Sequence, residues 1–175
     1  MFESIKKRIA KYLIIKKFTS GSGEVNFNNF FKESLSFLII MPSNEHDLNF
    51  TFEILKYLET QNKNVTILCQ AVRVNTIPQK DKYKIISYEI TDISKLYLPM
   101  KEYLDKREKK TFDIIMDLNR EENLFCSAMS NYYNSKFRVG FQKENSDNYY
   151  NFQIQNDEIN SEISYRNLLN SLQMF

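Results

Sequence analysis

A chain of 175 residues with 42% apolar and 14% aromatic content can bury one hydrophobic core, and that content excludes an intrinsically disordered polymer. Its 24 basic and 22 acidic side chains leave a formal charge of only +2, which removes the electrostatic footprint of a nucleic-acid binder. No apolar run approaches the ~18 residues of a membrane span, and the stretch 13–15 is too short for the core of a signal peptide.

Residues 1–18 have the pattern of a basic amphipathic helix. Phe2, Ile5, Ile9, Tyr12 and Leu13 recur at helical spacing, with Lys6, Lys7, Arg8, Lys11, Lys16 and Lys17 between them. Two readings follow. The helix lies on an anionic membrane surface, with Lys6, Lys7, Arg8 and Lys11 meeting the headgroups, or it packs on its own domain as an ordinary solvated helix. Thr19 to Gly23 ends it, so residues 1–23 are expected as helix and linker and residues 24–175 as the main domain.

Residues 28–36 suggest a short lead-in helix. Residues 37–41 then form a continuous apolar run stopped by Pro42, as in a strand covered by helices on both faces. Leu48, Phe52, Leu55 and Leu58 give a helix up to Gln61, and residues 65–69 a second strand. Residues 84–88 make a third strand after a segment, 71–82, that looks more like loop than helix. Pro99 opens a short helix through Lys106, and residues 112–118 are a strong buried strand. An amphipathic helix is expected over 120–133, a strand over 137–141, an exposed polar loop over 142–148, a short strand within 149–154 and a last helix from Ile159 to the end.

Strands alternating with helices predict one α/β domain with a Rossmann-like, mostly parallel sheet and helices on both faces. Cys69 and Cys126 lie in apolar stretches without CxxC or histidine spacing. They are expected as core thiols of a reduced, cytoplasmic protein, and no metal is expected.

In an open parallel sheet, ligands collect beyond the carboxyl ends of the strands, where strand order reverses. That rule selects the loops 42–47 and 117–121. Together they would gather Ser43, Asn44, His46, Asp47, Asp117, Asn119 and Arg120 around one crevice. A carboxylate there can act as a general base toward a sugar hydroxyl. The same residues also fit plainer roles: Asn44 as a helix cap with Asp47 in the first turn, Asp117 as a strand-end acid, His46 as a solvent-facing side chain, and Glu121 and Glu122 in a solvated helical turn. The three glycines, Gly21, Gly23 and Gly140, fall outside every strand-to-helix turn. No dinucleotide or P-loop cradle is formed, and no cofactor is expected.

Three landmarks carry a family resemblance: Phe37-Leu-Ile-Ile-Met-Pro-Ser-Asn-Glu-His-Asp47, Phe112-Asp-Ile-Ile-Met-Asp-Leu-Asn119 and Phe137-Arg-Val-Gly-Phe141. They resemble the N-terminal, acceptor-side domain of bacterial heptosyltransferases, glycosyltransferases with two Rossmann-like domains that build lipopolysaccharide cores. The resemblance spans about residues 36 to 141. It implies a parallel-sheet acceptor domain, Asp47 at the position of the catalytic base and Asn119 at that of an amide. His46 stands where the family usually has glycine, and Met41 where it is usually basic. The chain also resembles small bacterial proteins that keep only this domain. The donor-binding half would begin beyond Phe175, so the isolated chain is expected not to catalyse transfer.

Three functions are therefore expected to compete. The first is a non-catalytic heptosyltransferase-like domain that binds a partner protein or an envelope glycan. The second is the acceptor half of a split glycosyltransferase, docking through an apolar end at Leu172, Met174 and Phe175. The third is a membrane-surface adaptor acting through residues 1–18, peripheral to the inner face of the membrane.

Overall fold

The computed structural model describes residues 2–18, 29–155 and 160–174. Gly21, Gly23, Ile159, Phe175 and the expected boundary after residue 23 lie outside the described residues.

Among the described residues, six strands form one sheet: β1 (Ser36–Ile40), β2 (Asn64–Gln70), β3 (Lys84–Tyr88), β4 (Thr111–Asp117), β5 (Asn134–Phe141) and β6 (Phe152–Ile154). Their order is β3-β2-β1-β4-β5-β6, and every pairing is parallel. The chain starts at the centre, runs outward through β2 and β3, then returns to the other side of β1 and runs outward again through β4, β5 and β6. The reversal of strand order therefore lies between β1 and β4.

Six α-helices accompany the strands among the described residues: α1 (Phe2–Lys17), α2 (Phe30–Glu33), α3 (Glu45–Thr60), α4 (Lys101–Asp105), α5 (Leu124–Tyr132) and α6 (Ser161–Gln173). Crossovers of one hand, leaving the centre in opposite directions, must place their helices on opposite faces. Accordingly Phe37, Ile39 and Met41 join Ile54, Leu55, Leu58, Leu168 and Leu172 of α3 and α6 in one core layer. Leu38 and Ile40 join Tyr103, Phe125 and Met129 of α4 and α5 in the other. Burial on both faces is the physical reason that β1 is apolar without alternation.

Segment 71–82 holds two short 3₁₀ turns, Ala71–Thr76 and Lys80–Lys82, so β2 and β3 are joined without an α-helix. The helix after β4 starts at Leu124 and not at Arg120. Asn123 caps it by accepting from the Cys126 amide at 3.1 Å, which leaves Glu121 and Glu122 in the preceding loop. Loop 142–148 is not simply exposed: Ser146 is buried and the Lys143 side chain is almost so. Leu172 is fully buried in the core, so it cannot form the apolar docking end expected of the last helix. Both cysteines are free and buried, and burial pushes the Cys69 thiol up to about 11 and the Cys126 thiol higher still.

Helix α1 is joined to the domain through a different face from the expected stripe. Ala10 and Ile14, four residues apart, are fully buried with Leu98, Leu124, Ala128, Tyr149 and Tyr150. The alanine lets α1 approach α5 closely, which in turn explains why residues 124–131 of α5 are buried on every side. Phe2, Ile5, Ile9 and Tyr12 face away.

At the amino end of the sheet, Asp113 clamps β4 to β1. Its Oδ2 accepts from the Leu35 amide at 2.9 Å, the Ser36 amide at 2.8 Å and the Ser36 hydroxyl at 2.8 Å. Partial burial raises its pKa, but the bonds from Ser36 and Leu35, with Lys136 nearby, outweigh this and hold it below the ordinary 3.8. A carboxylate depressed in the folded state contributes stability that is fully present above 3.8 and is lost as pH falls through the lowered value. Asp113→Asn is expected to lower stability at neutral pH by about 1 kcal/mol and to flatten the acid limb of the stability profile. Urea unfolding of both proteins between neutral pH and pH ~3 checks this.

Candidate functional site at the β1–β4 rim

Register places Ile40 of β1 between Leu68 of β2 and Asp117 of β4. The loops that leave β1 and β4 consequently emerge side by side, and of the residues selected from the sequence they join Ser43, Asp117 and Asn119 in one group and Asp47 and Arg120 in another. Asn119 Oδ1 accepts from the Ser43 amide at 3.0 Å and the Ser43 hydroxyl at 3.3 Å, while its Nδ2 donates to the Met41 carbonyl at 3.4 Å. Asn123 Nδ2 donates to the Ser43 hydroxyl at 3.2 Å, and Arg73 donates to the Ser43 carbonyl at 2.9 Å.

Asp117 is completely buried. Its Oδ1 accepts from the Asn119 amide at 3.0 Å and from Asn119 Nδ2 at 2.7 Å. Its Oδ2 accepts from the Tyr150 hydroxyl and lies 3.6 Å from Lys143 Nζ. Tyr150 has one hydroxyl proton and gives it to Asp117, so Ser127, at 3.1 Å, donates to the Tyr150 oxygen. Burial beside Asp117 pushes the Tyr150 pKa well above its ordinary value and keeps the phenol a donor. Lys143 also donates to the Asn119 carbonyl at 2.7 Å and sits 5.3 Å from the Tyr150 ring centre. A buried carboxylate surrounded in this way is a tie between loops.

Asp47 is also buried, at 4% exposure. It occupies the first turn of α3, whose cap is Asn44, accepting from the His46 amide at 2.9 Å. The carboxylate accepts from the Ser161 hydroxyl at 2.6 Å. Arg120 donates to the same Ser161 oxygen at 2.6 Å and lies 3.8 Å from Asp47 Oδ1. Ser161 opens α6, so the carboxylate bridges the first turns of two helices. The His46 side chain is 71% exposed and packs edge-on to Phe50, with Nδ1 3.8 Å from Asp47. Among the described residues, no group of three or more His, Cys, Asp or Glu side chains is placed to hold a metal ion.

Of the residues selected from the sequence, Asp47, Asp117 and Asn119 point inward, Ser43 and Arg120 are half-buried, and Asn44 and His46 reach solvent. Lys143, Tyr150, Ser161 and Tyr165, which donates to the Leu118 carbonyl at 2.6 Å, were not selected. They come from distant segments, and no local spacing marks them. Asn123 does carry a local signal, an Asn directly before an apolar run.

The Phe137–Phe141 landmark has a structural explanation. Phe137, Val139 and Phe141 enter the α3/α6 core layer. On the opposite face, Arg138 donates to the carbonyls of Ser130 at 3.0 Å, Tyr133 at 3.2 Å and Ser135 at 3.0 Å, closing the end of α5. Gly140 pairs with Asp117 and leaves room for the Tyr150 ring.

Residues 3–175 match a protein family described as "Family of unknown function (DUF6913)", and the chain belongs to that family. No curated protein and no solved structure matches the chain.

A β-carbon at position 140 would lie 2.9 Å from the Cγ and Cδ2 atoms of Tyr150, closer than carbon atoms pack. Gly140→Ala should therefore push the ring off Asp117 and destabilise the fold by about 1–3 kcal/mol. Equilibrium urea unfolding measures the loss, and an unchanged midpoint would separate the glycine from the tyrosine tie.

Proposed function

We propose that this member of the family is a non-catalytic, heptosyltransferase-like α/β domain that works by binding a partner protein. The observation that carries this reading is the engagement of both rim carboxylates. A general base must reach the proton it removes. Asp47 instead accepts a short bond from Ser161, and Asp117 is enclosed by Tyr150, Asn119 and Lys143. Asn119, at the position where the resemblance implies an amide, bonds Ser43 and Met41.

A protein suits this rim better than an envelope glycan. Glycan recognition draws on outward-facing polar groups, and most of those here are used internally. Just beyond the adjacent ends of β2 and β3, two apolar side chains, Val72 and Ile90, are 83% and 82% exposed. Each lies two positions past the paired Gln70 and Tyr88, so both follow the neighbouring carboxyl ends of β2 and β3.

The purified chain, incubated with nucleotide sugars and sugar acceptors, should give neither transfer nor hydrolysis above background. Asp47→Asn should cost about 1–3 kcal/mol of stability, because the amide oxygen can still accept from Ser161 but the buried carboxylate charge that faces Arg120 is lost. Turnover by the wild-type chain that disappears in Asp47→Asn would overturn the reading. Photo-crosslinking from positions 72 and 90 in cells should trap one discrete protein adduct, lost when the unlabelled position of the pair is changed to Glu.

A further inference from the structure

Helix α1 carries apolar side chains on two sides and uses only one of them. Ala10 and Ile14 are buried against α5, and α5 in turn lies against β4. On the outer side Phe2, Ile5, Ile9 and Tyr12 are 82%, 50%, 45% and 61% exposed. Their spacing aligns them in one stripe along the helix. Single exposed apolar residues need no explanation, whereas a stripe of four, two of them aromatic, does.

The charge around this stripe identifies its counterpart. Helix α1 holds six cations and one carboxylate. It is thus net +5 in a chain of net +2, and the remainder of the protein is net −3. The carboxylate, Glu3, is engaged by Lys6 at 2.7 Å and by the Tyr97 hydroxyl. Lys11 is turned inward to Glu122 at 2.8 Å and Glu144 at 3.6 Å, so it does not serve the outer face. Lys7, Arg8, Lys16 and Lys17 are exposed.

We propose that the outer face of α1 is a membrane-surface site for anionic phospholipid. Helix α1 lies parallel to the bilayer, Phe2, Ile5, Ile9 and Tyr12 enter the headgroup–acyl boundary, and Arg8, Lys16 and Lys17, on or flanking the stripe, meet the headgroups. A protein partner fits less well, because protein interface cores are depleted in lysine. A second copy would bring two strongly cationic helices face to face. The net negative remainder is repelled by the same lipid surface, which holds the domain with α1 toward the membrane.

The test is flotation of the full chain with phosphatidylcholine vesicles, with and without phosphatidylglycerol. The wild-type protein should float with the phosphatidylglycerol vesicles only and be released by raised salt. Ile5→Ser combined with Ile9→Ser, and Arg8→Glu combined with Lys16→Glu, should each weaken partitioning on the order of 100-fold. Both variants should keep the wild-type thermal midpoint, since these side chains are exposed; if the serine variant unfolds, the glutamate variant decides. Absence of flotation, or equal flotation of wild type and folded variants, would overturn the proposal. So would a dimer in sedimentation equilibrium that the serine pair abolishes without affecting vesicle binding.

Discussion

The side-by-side parallel pairing of β1 and β4 is the constraint on which the rest of the molecule depends. It sets Asp117 beside Ile40 at the carboxyl edge of the sheet, in a position with no access to water. A buried carboxylate is tolerated only when it is surrounded by donors. The chain supplies them from both sides: the Asn119 amide and side chain from the following loop, and Tyr150 and Lys143 from the connection beyond β5. Loops that would otherwise be free to move are thereby tied to the middle of the sheet.

The same economy of donors shapes the neighbouring carboxylate. Asp47 lies in the first turn of α3, and Ser161 and Arg120 reach it from α6 and from the loop after β4. The rim where a Rossmann-like sheet usually opens a ligand crevice is thus bridged by the protein's own side chains. That bridging is what supports the proposed role in binding over chemistry at the rim. Two exposed surfaces stand out, the apolar pair Val72 and Ile90 and the outer stripe of α1.

Much of the fold is legible in the sequence because it is written in local periodicity. Continuous apolar runs at 37–41, 65–69 and 112–118 mark strands covered on both faces, and all fall within or at the ends of the observed strands. The contact of Ser43 and Asp117 with Asn119 also follows, since the carboxyl-end rule needs only strand direction and order. What the sequence does not disclose is long-range. Tyr150 lies 33 residues from the aspartate it binds, and Ser161 lies 114 residues from Asp47. Lys143 sits in a polar stretch that resembles an exposed loop until the buried charge it faces is known. Helix α1 shows the limit of periodicity itself. Its most regular apolar stripe faces solvent, because contact with α5 is decided by the small side chain of Ala10 and by Ile14.

The central claim is that Asp117 acts as a structural tie held by Tyr150. A double-mutant cycle with Asp117→Asn and Tyr150→Phe, followed by equilibrium unfolding, tests it most directly. A coupling of about 1–3 kcal/mol is predicted, with the double variant less destabilised than the sum of the single changes. Additive effects, with coupling within about 0.3 kcal/mol of zero, would contradict it.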